Sequence, residues 1–258
     1  MFRASPTQGI ALVTGASSGI GRGVALELAR RGYRVAILAR REAELQSLAN
    51  ERPNAFYVYS CDVTDRALVR ATLAKIEAER GSIALAFLNV GTYFADREAT
   101  VDAETIMSTF EVNVGGTVNC LAPLTEFMCL RKAGQIAVNA SVAGYGGLPR
   151  SLGYGPSKAA LINMAASLKL TLAPYNVRVQ LVCPGFVKTP LTDNNKFPMP
   201  FLMGLEAAAT RICDGFERGG FEIAFPRRMA WLLKALNALP YAAYFAIVGA
   251  QTTAKRRD

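Results

Sequence analysis

Seven short apolar runs alternate with helix-length stretches, and this alternation most constrains what the chain can fold into. The runs span residues 10–14, 34–39, 55–60, 83–89, 135–140, 177–182 and 222–225. They are apolar almost throughout rather than at every second position, as expected of strands buried on both faces. Helical patterns fill 20–31, 41–51, 64–80, 105–130 and 157–173. The order predicts an α/β fold with a seven-stranded parallel sheet and helices on both faces. At 258 residues and 51% apolar composition, one domain over 1–258 suffices. Two stretches break the rhythm. Residues 189–205 read as a lid loop rich in Pro, Asn and large apolar side chains. Residues 227–258 read as an apolar, basic helical tail.

The first run ends in Thr14-Gly15-Ala16-Ser17-Ser18-Gly19-Ile20-Gly21, and a helical pattern follows directly. Glycine permits backbone approaches that a β-carbon forbids. A helix N-terminus offers unpaired N–H groups and a positive dipole end to a pyrophosphate. Gly15, Ser17, Ser18, Gly19, Ile20 and Gly21 are therefore predicted to cradle a dinucleotide. The second run ends Ala39-Arg40-Arg41. An NAD site usually carries an acid there for the ribose 2′-hydroxyl. Arg40 and Arg41 stand there instead and can pair with a 2′-phosphate, so NADP(H) is expected over NAD(H). Arg40 is favoured because it follows the strand end directly.

The chain contains no histidine, so the usual proton carrier near neutral pH is missing. Tyr154 and Lys158 lie one helical turn apart, where both can share a face. A nearby ammonium is expected to lower the phenol below its ordinary pKa of about 10. Ser141, after the fifth run, can donate to a carbonyl oxygen and stabilise a developing alkoxide. Singly, these residues read as a packing tyrosine, a helix charge and a turn serine. Together with the glycine loop they read as hydride-transfer chemistry.

Five cysteines without a close pair, and no histidine, predict no metal site. The charge of +9 is dispersed and carries no nucleic-acid motif. The start of the chain has no apolar leader, so a reducing cytoplasm is expected.

In order along the chain, Thr14–Gly21, Cys61-Asp62-Val63-Thr64-Asp65, Asn89-Val90-Gly91, Asn113, Ser141, Tyr154-x-x-x-Lys158 and Pro184–Thr189 resemble the short-chain dehydrogenase/reductase family. The resemblance implies a doubly wound Rossmann fold, an oxidoreductase, and a homodimer or homotetramer. It implies that Asp62 holds the adenine amino group, that Val63 offers its backbone, and that Asn89 and Gly91 line the adenosine side. Pro184, Gly185, Val187 and Thr189 would bracket the nicotinamide. Lys158 would grip its ribose, and Asn113 would hold a water linking Lys158 to solvent. From the residues alone, Asp62 reads equally as a cap for the helix that follows, a role Asp65 could share. Two departures stand out. Leu88 replaces a family Asn that braces the central sheet, and Asn139-Ala140 stands where Ile-Ser is common.

The resulting expectation is an NADP(H)-dependent carbonyl reductase with Tyr154 as general acid/base. The alternative is a nucleotide-binding sensor or scaffold without turnover. An epimerase or dehydratase is disfavoured because no extended substrate domain is present. Tyr93–Phe94, 142–150 and 189–204 are expected to wall a hydrophobic substrate, through Tyr145, Leu148, Phe197, Met199, Phe201, Leu202 and Met203. The loop residues equally suit packing on the domain or a subunit contact. The tail is expected to pack on the fold or a partner subunit. Peripheral membrane contact, with Trp231, Tyr241, Tyr244 and Phe245 at the interface, is its second reading.

Overall fold

The computed structural model describes residues 1–94, 100–192 and 199–254, the side chains of 250–254 excepted. Strands β1 (Ile10–Thr14), β2 (Val35–Ala39), β3 (Phe56–Ser60), β4 (Ile83–Leu88), β5 (Gly134–Asn139), β6 (Val177–Pro184) and β7 (Glu222–Phe225) correspond to the seven expected runs. They form one parallel sheet in the order β3-β2-β1-β4-β5-β6-β7. β1, β2, β4 and β5 are buried at every position, which explains their unbroken apolar sequence.

Helices cover both faces. On one side α1 (Gly19–Arg30), α2 (Glu42–Glu51) and α7 (Leu205–Arg218) bury Leu28, Leu45, Leu48 and Phe216. On the other, α3 (Arg66–Arg80), α5 (Gly116–Arg131) and α6 (Tyr154–Leu172) bury Leu73, Leu124 and Leu161. Each fully buried Leu contributes roughly 1.5–3 kcal/mol of transfer free energy. Strand order reverses between β1 and β4, and ligands of open α/β sheets bind beyond the carboxyl ends of such strands.

The expected helix 105–130 is not uniform. α4 (Ala103–Phe110) passes through a π-helical turn, Glu111–Gly115, into α5. Such wide turns cluster at functional sites, and this one carries Asn113, which is fully buried. The tail forms α8 (Arg227–Asn237) and α9 (Tyr241–Ala254). Among the described residues no helix is long and apolar enough to cross a membrane. Lys255, Arg256 and Arg257, with the middle of the lid loop (193–198, including Phe197), lie outside the described residues.

Candidate active site

The turn between β1 and α1 is tight because two glycines allow it. Gly15 has φ +67°, in the left-handed region. A Cβ on Gly21 would lie 2.2 Å from the Gly15 carbonyl oxygen and 2.6 Å from Asn89 Nδ2. No side chain caps α1, and its first turn carries no acid. Ser17, Ser18, Gly19 and Ile20 thus present an open helix N-terminus to a cleft of about 1240 Å³.

Arg41 donates from Nη2 to Ser17 Oγ at 3.0 Å and Ser18 Oγ at 3.1 Å. Arg40 is 72% exposed at its side chain and pairs loosely with Asp62 Oδ2 at 3.7 Å. Of the two arginines, Arg41 is the one whose side chain reaches the loop. Arg41 is the extended residue preceding α2, and its side chain turns back over the phosphate loop.

Asp62 and Asp65 divide the roles left open by sequence. Asp65 caps α3, accepting from the Leu68 N–H at 2.9 Å. Asp62 Oδ1 accepts from the Thr64 N–H and hydroxyl, and the residue lines the cleft. Burial raises its pKa, but the two Thr64 bonds and the Arg40 charge outweigh this and hold it below the ordinary value. Val63 lines the cleft beside it, with its carbonyl held by Asn119 Nδ2 at 2.9 Å.

Asn89 is clamped between strands. Its N–H donates to Thr14 Oγ1 at 2.9 Å, and its Oδ1 accepts from Asn139 Nδ2 at 2.9 Å. Asn139 thus supplies from β5 a brace for the residue beside Leu88. Asn139 was not among the expected site residues; the two departures from the family pattern were its only sequence signal. Its Oδ1 is buried at the cleft wall with no protein partner.

The catalytic candidates converge at the ends of β4, β5 and β6. Ser141 Oγ accepts from the Ala143 N–H at 3.1 Å and donates to the Pro184 carbonyl at 3.4 Å. Tyr154 opens α6, and its ring packs edge-on against Tyr93 at 5.3 Å. Lys158 is buried, with Nζ 5.6 Å from the Tyr154 ring centre and donating to the Asn139 carbonyl at 3.0 Å. Asn113 accepts from the Thr92 N–H at 2.7 Å and donates to Thr92 O and Ser157 Oγ. A Cβ on Gly91 would sit 3.2 Å from Lys158 Nζ and 3.4 Å from Asn113 Oδ1, so both atoms border one gap that only glycine leaves open.

The electrostatics differ from expectation. The Tyr154 phenol is raised, not lowered: burial dominates, and a hydrogen bond with Ser141 opposes it. Burial in the same dry pocket pushes Lys158 down to about 8, which weakens its effect as a fixed cation. Pro184, Gly185, Val187 and Thr189 line the cleft, and a Cβ on Gly19 would lie 3.4 Å from Thr189 Cβ and Cγ2. Met203 pairs with Phe186 and Lys188 through backbone bonds of 2.9 Å, which closes the base of the lid loop.

The substrate end departs in part from the sequence expectation. Leu148, Tyr93 and Phe94 do line the cleft. Tyr145 turns away: its hydroxyl donates to Glu222 Oε1 at 2.8 Å, beneath Lys234. Phe201 and Leu202 are exposed, and Met203 is spent on the loop base. Val142, Ala143, Pro149 and Arg150 and the loop residues Pro190, Leu191 and Thr192 line the cleft as expected, and the tail adds Met229, Leu233 and Leu236 of α8 and Ile247 and Val248 of α9. Helices distant in sequence meet here only because the chain folds back over the sheet edge.

Ser141, Tyr154 and Lys158 thus share one cleft with the glycine loop, at the β1/β4 switch point of the sheet. The sequence profile of short chain dehydrogenases matches residues 9–198. An uncharacterized oxidoreductase of Myxococcus xanthus is 38% identical, over 89% of this chain and 92% of its own. Carbonyl reductase family member 4 of Xenopus laevis is 31% identical, over 72% and 79%. A Burkholderia cenocepacia short chain dehydrogenase solved in complex with NADP superposes with TM-score 0.81 at 25% identity, covering 93% and 97%. The chain belongs to the short-chain dehydrogenase/reductase family, and is an oxidoreductase of that family.

Proposed function

We propose that the chain, acting as a single NAD(P)-binding domain over 1–258, is an NADP(H)-dependent reductase of hydrophobic ketones or aldehydes. The observation that carries this reading is the convergence of Ser141, Tyr154 and Lys158 on the floor of one cleft. The other end of that cleft is an uncapped glycine loop overhung by Arg41. The residues fit the cofactor. Gly15 and Gly21 leave room where a Cβ would clash, the Asn139 Oδ1 acceptor awaits a donor such as a ribose hydroxyl, and no acid ends β2. When bound, NADPH supplies the hydride.

The protein's own groups orient the carbonyl and deliver a proton. Ser141 Oγ donates to the carbonyl oxygen in place of its long bond to Pro184. Tyr154 gives its proton to the same oxygen as hydride arrives at carbon. Burial raises the phenol above its ordinary value, so Tyr154 is protonated before the carbonyl binds. Lys158, poised at about 8, exchanges protons readily near neutral pH. A water in the gap over Gly91, held between Asn113 Oδ1 and Lys158 Nζ, would reprotonate the pair from solvent. Asn113 also acts as a positioning residue, tying the loop after β4 to the first turn of α6.

The test is NADPH and NADH consumption across ketones and aldehydes of increasing apolar size. kcat/KM should rise with apolar size, and Tyr154→Phe should lower kcat by roughly 10²–10⁴ while cofactor affinity is retained. Equal rates for Tyr154→Phe and wild type would remove the assigned role. Cofactor binding without turnover on any carbonyl would favour the sensor reading. A homodimer or homotetramer and a cytoplasmic setting are proposed on family resemblance alone.

A further inference from the structure

Helices α8 and α9 have two unlike faces. The inner face closes the substrate end of the cleft, and Tyr244, expected at an interface, is buried there with its hydroxyl donating to the Gly147 carbonyl at 2.7 Å. Lys234 pairs with Glu222 and is neutralised. The outer face is apolar and bare. Trp231 is 68% exposed, Leu232 59%, Tyr241 78% and Phe245 63%, with the Tyr241 and Phe245 rings stacked at 5.6 Å. Arg227 and Arg228 lie one turn before Trp231 and Leu232, on the same stripe of α8. They occupy the first turn, where the positive end of the helix dipole repels them. Their presence there has no stabilising account within α8, whose first turn holds no acid. Between Glu222 and Asp258 the sequence contains six basic residues and no acidic one.

We propose that the outer face of α8 and α9 seats on an anionic lipid surface. Tryptophan and tyrosine beside exposed leucine and phenylalanine suit the headgroup–acyl boundary, and arginines on the same stripe suit anionic headgroups. A second copy of this chain fits less well. A two-fold contact of this face with itself would offer Arg227 and Arg228 no acidic partner. Ile247 both lines the cleft and is 42% exposed, so the mouth of the cleft adjoins this face. Resting on the proposed reductase reading, this gives a carbonyl dissolved in the lipid a short path to Tyr154.

Trp231 is the only tryptophan in the chain, so its emission reports this face directly. The full chain is titrated with phosphatidylcholine vesicles and with vesicles containing phosphatidylglycerol. The expected result is a blue shift of Trp231 emission, quenching by brominated lipid and co-sedimentation, all on the anionic vesicles and all weakened by salt. Arg227→Gln with Arg228→Gln should weaken partitioning about thirtyfold, at roughly fivefold for each cation lost near the surface. Unchanged emission with no co-sedimentation would overturn the proposal. So would a blue shift that follows protein concentration without lipid and coincides with dimer formation. Turnover of a water-soluble carbonyl without vesicles is measured in parallel. If it persists while lipid binding fails, only the membrane proposal falls.

Discussion

Lys158→Met should make the cofactor-free protein more stable and abolish its activity. The lysine is buried, and its pKa falls from an ordinary 10.5 to about 8 because burial penalises the ammonium. At about 1.4 kcal/mol per tenfold, holding that charge in the fold costs about 3 kcal/mol at pH 7. Methionine removes this cost at similar length but forfeits the bond to the Asn139 carbonyl, worth about 1 kcal/mol. The net gain at pH 7 is on the order of 2 kcal/mol. The pH dependence carries the diagnosis. Between pH 8 and 10.5 the unfolded lysine is still charged while the folded one is not. The unfolded state then binds more protons, and wild-type stability gains with pH relative to the variant. The advantage of Lys158→Met should be constant below pH 8, shrink through that window and turn into a deficit of about 1 kcal/mol near 10.5, where only the lost bond to Asn139 remains. Cys61, Cys120, Cys129, Cys183 and Cys213 are all raised by burial, so both proteins lose stability above pH 9. That loss cancels in the difference. Denaturant unfolding of both proteins without cofactor, at several pH values from 7 to 10.5, measures it. A variant less stable at pH 7, or a difference independent of pH, would refute the reasoning.

Further expectations follow from individual contacts. Arg41→Ala should raise the KM for NADPH by roughly 10–100-fold and leave that for NADH nearly unchanged, at about 1.5–3 kcal/mol for a charge-assisted bond; Arg40→Ala should do less, and a larger effect at Arg40 would restore the order expected from sequence. Asn139→Val leaves Asn89 Oδ1 without its donor, so cofactor affinity measured by titration should fall about tenfold or more; an unchanged Kd would show that the brace is dispensable. Lys234→Met breaks the pair with Glu222 that fastens α8 to β7, so KM for large apolar carbonyls should rise while kcat for a small one holds; parallel losses for both would show damage at the catalytic end instead.

The strand set was legible because its cause is local. A parallel strand covered on both faces must be apolar throughout, and runs such as Ile10–Thr14 announce this within five residues. The phosphate loop was legible for the same reason, since Gly15 and Gly21 are demanded by backbone geometry near them in sequence. The π-helical turn at Asn113 left no such mark, because α-helical and π-helical turns use the same residue types. The lid loop was legible only in part: Thr189–Thr192 line the cleft, but the residues at 201–203 do not. Large apolar residues at 201–203 looked like a wall, yet their neighbours in space leave Phe201 and Leu202 in solvent.

By itself the sequence determined the sheet, the cofactor loop, the missing acid after β2 and the spacing of Tyr154 and Lys158. Each is fixed by short-range sterics, burial or one helical turn. Tertiary structure alone decided which arginine reaches the loop, that Asn139 braces Asn89 from β5, and that burial raises Tyr154 and lowers Lys158. It alone also made the tail part of the substrate wall. These outcomes depend on which side chains meet across tens of residues and on how much water they exclude, and no local pattern encodes either.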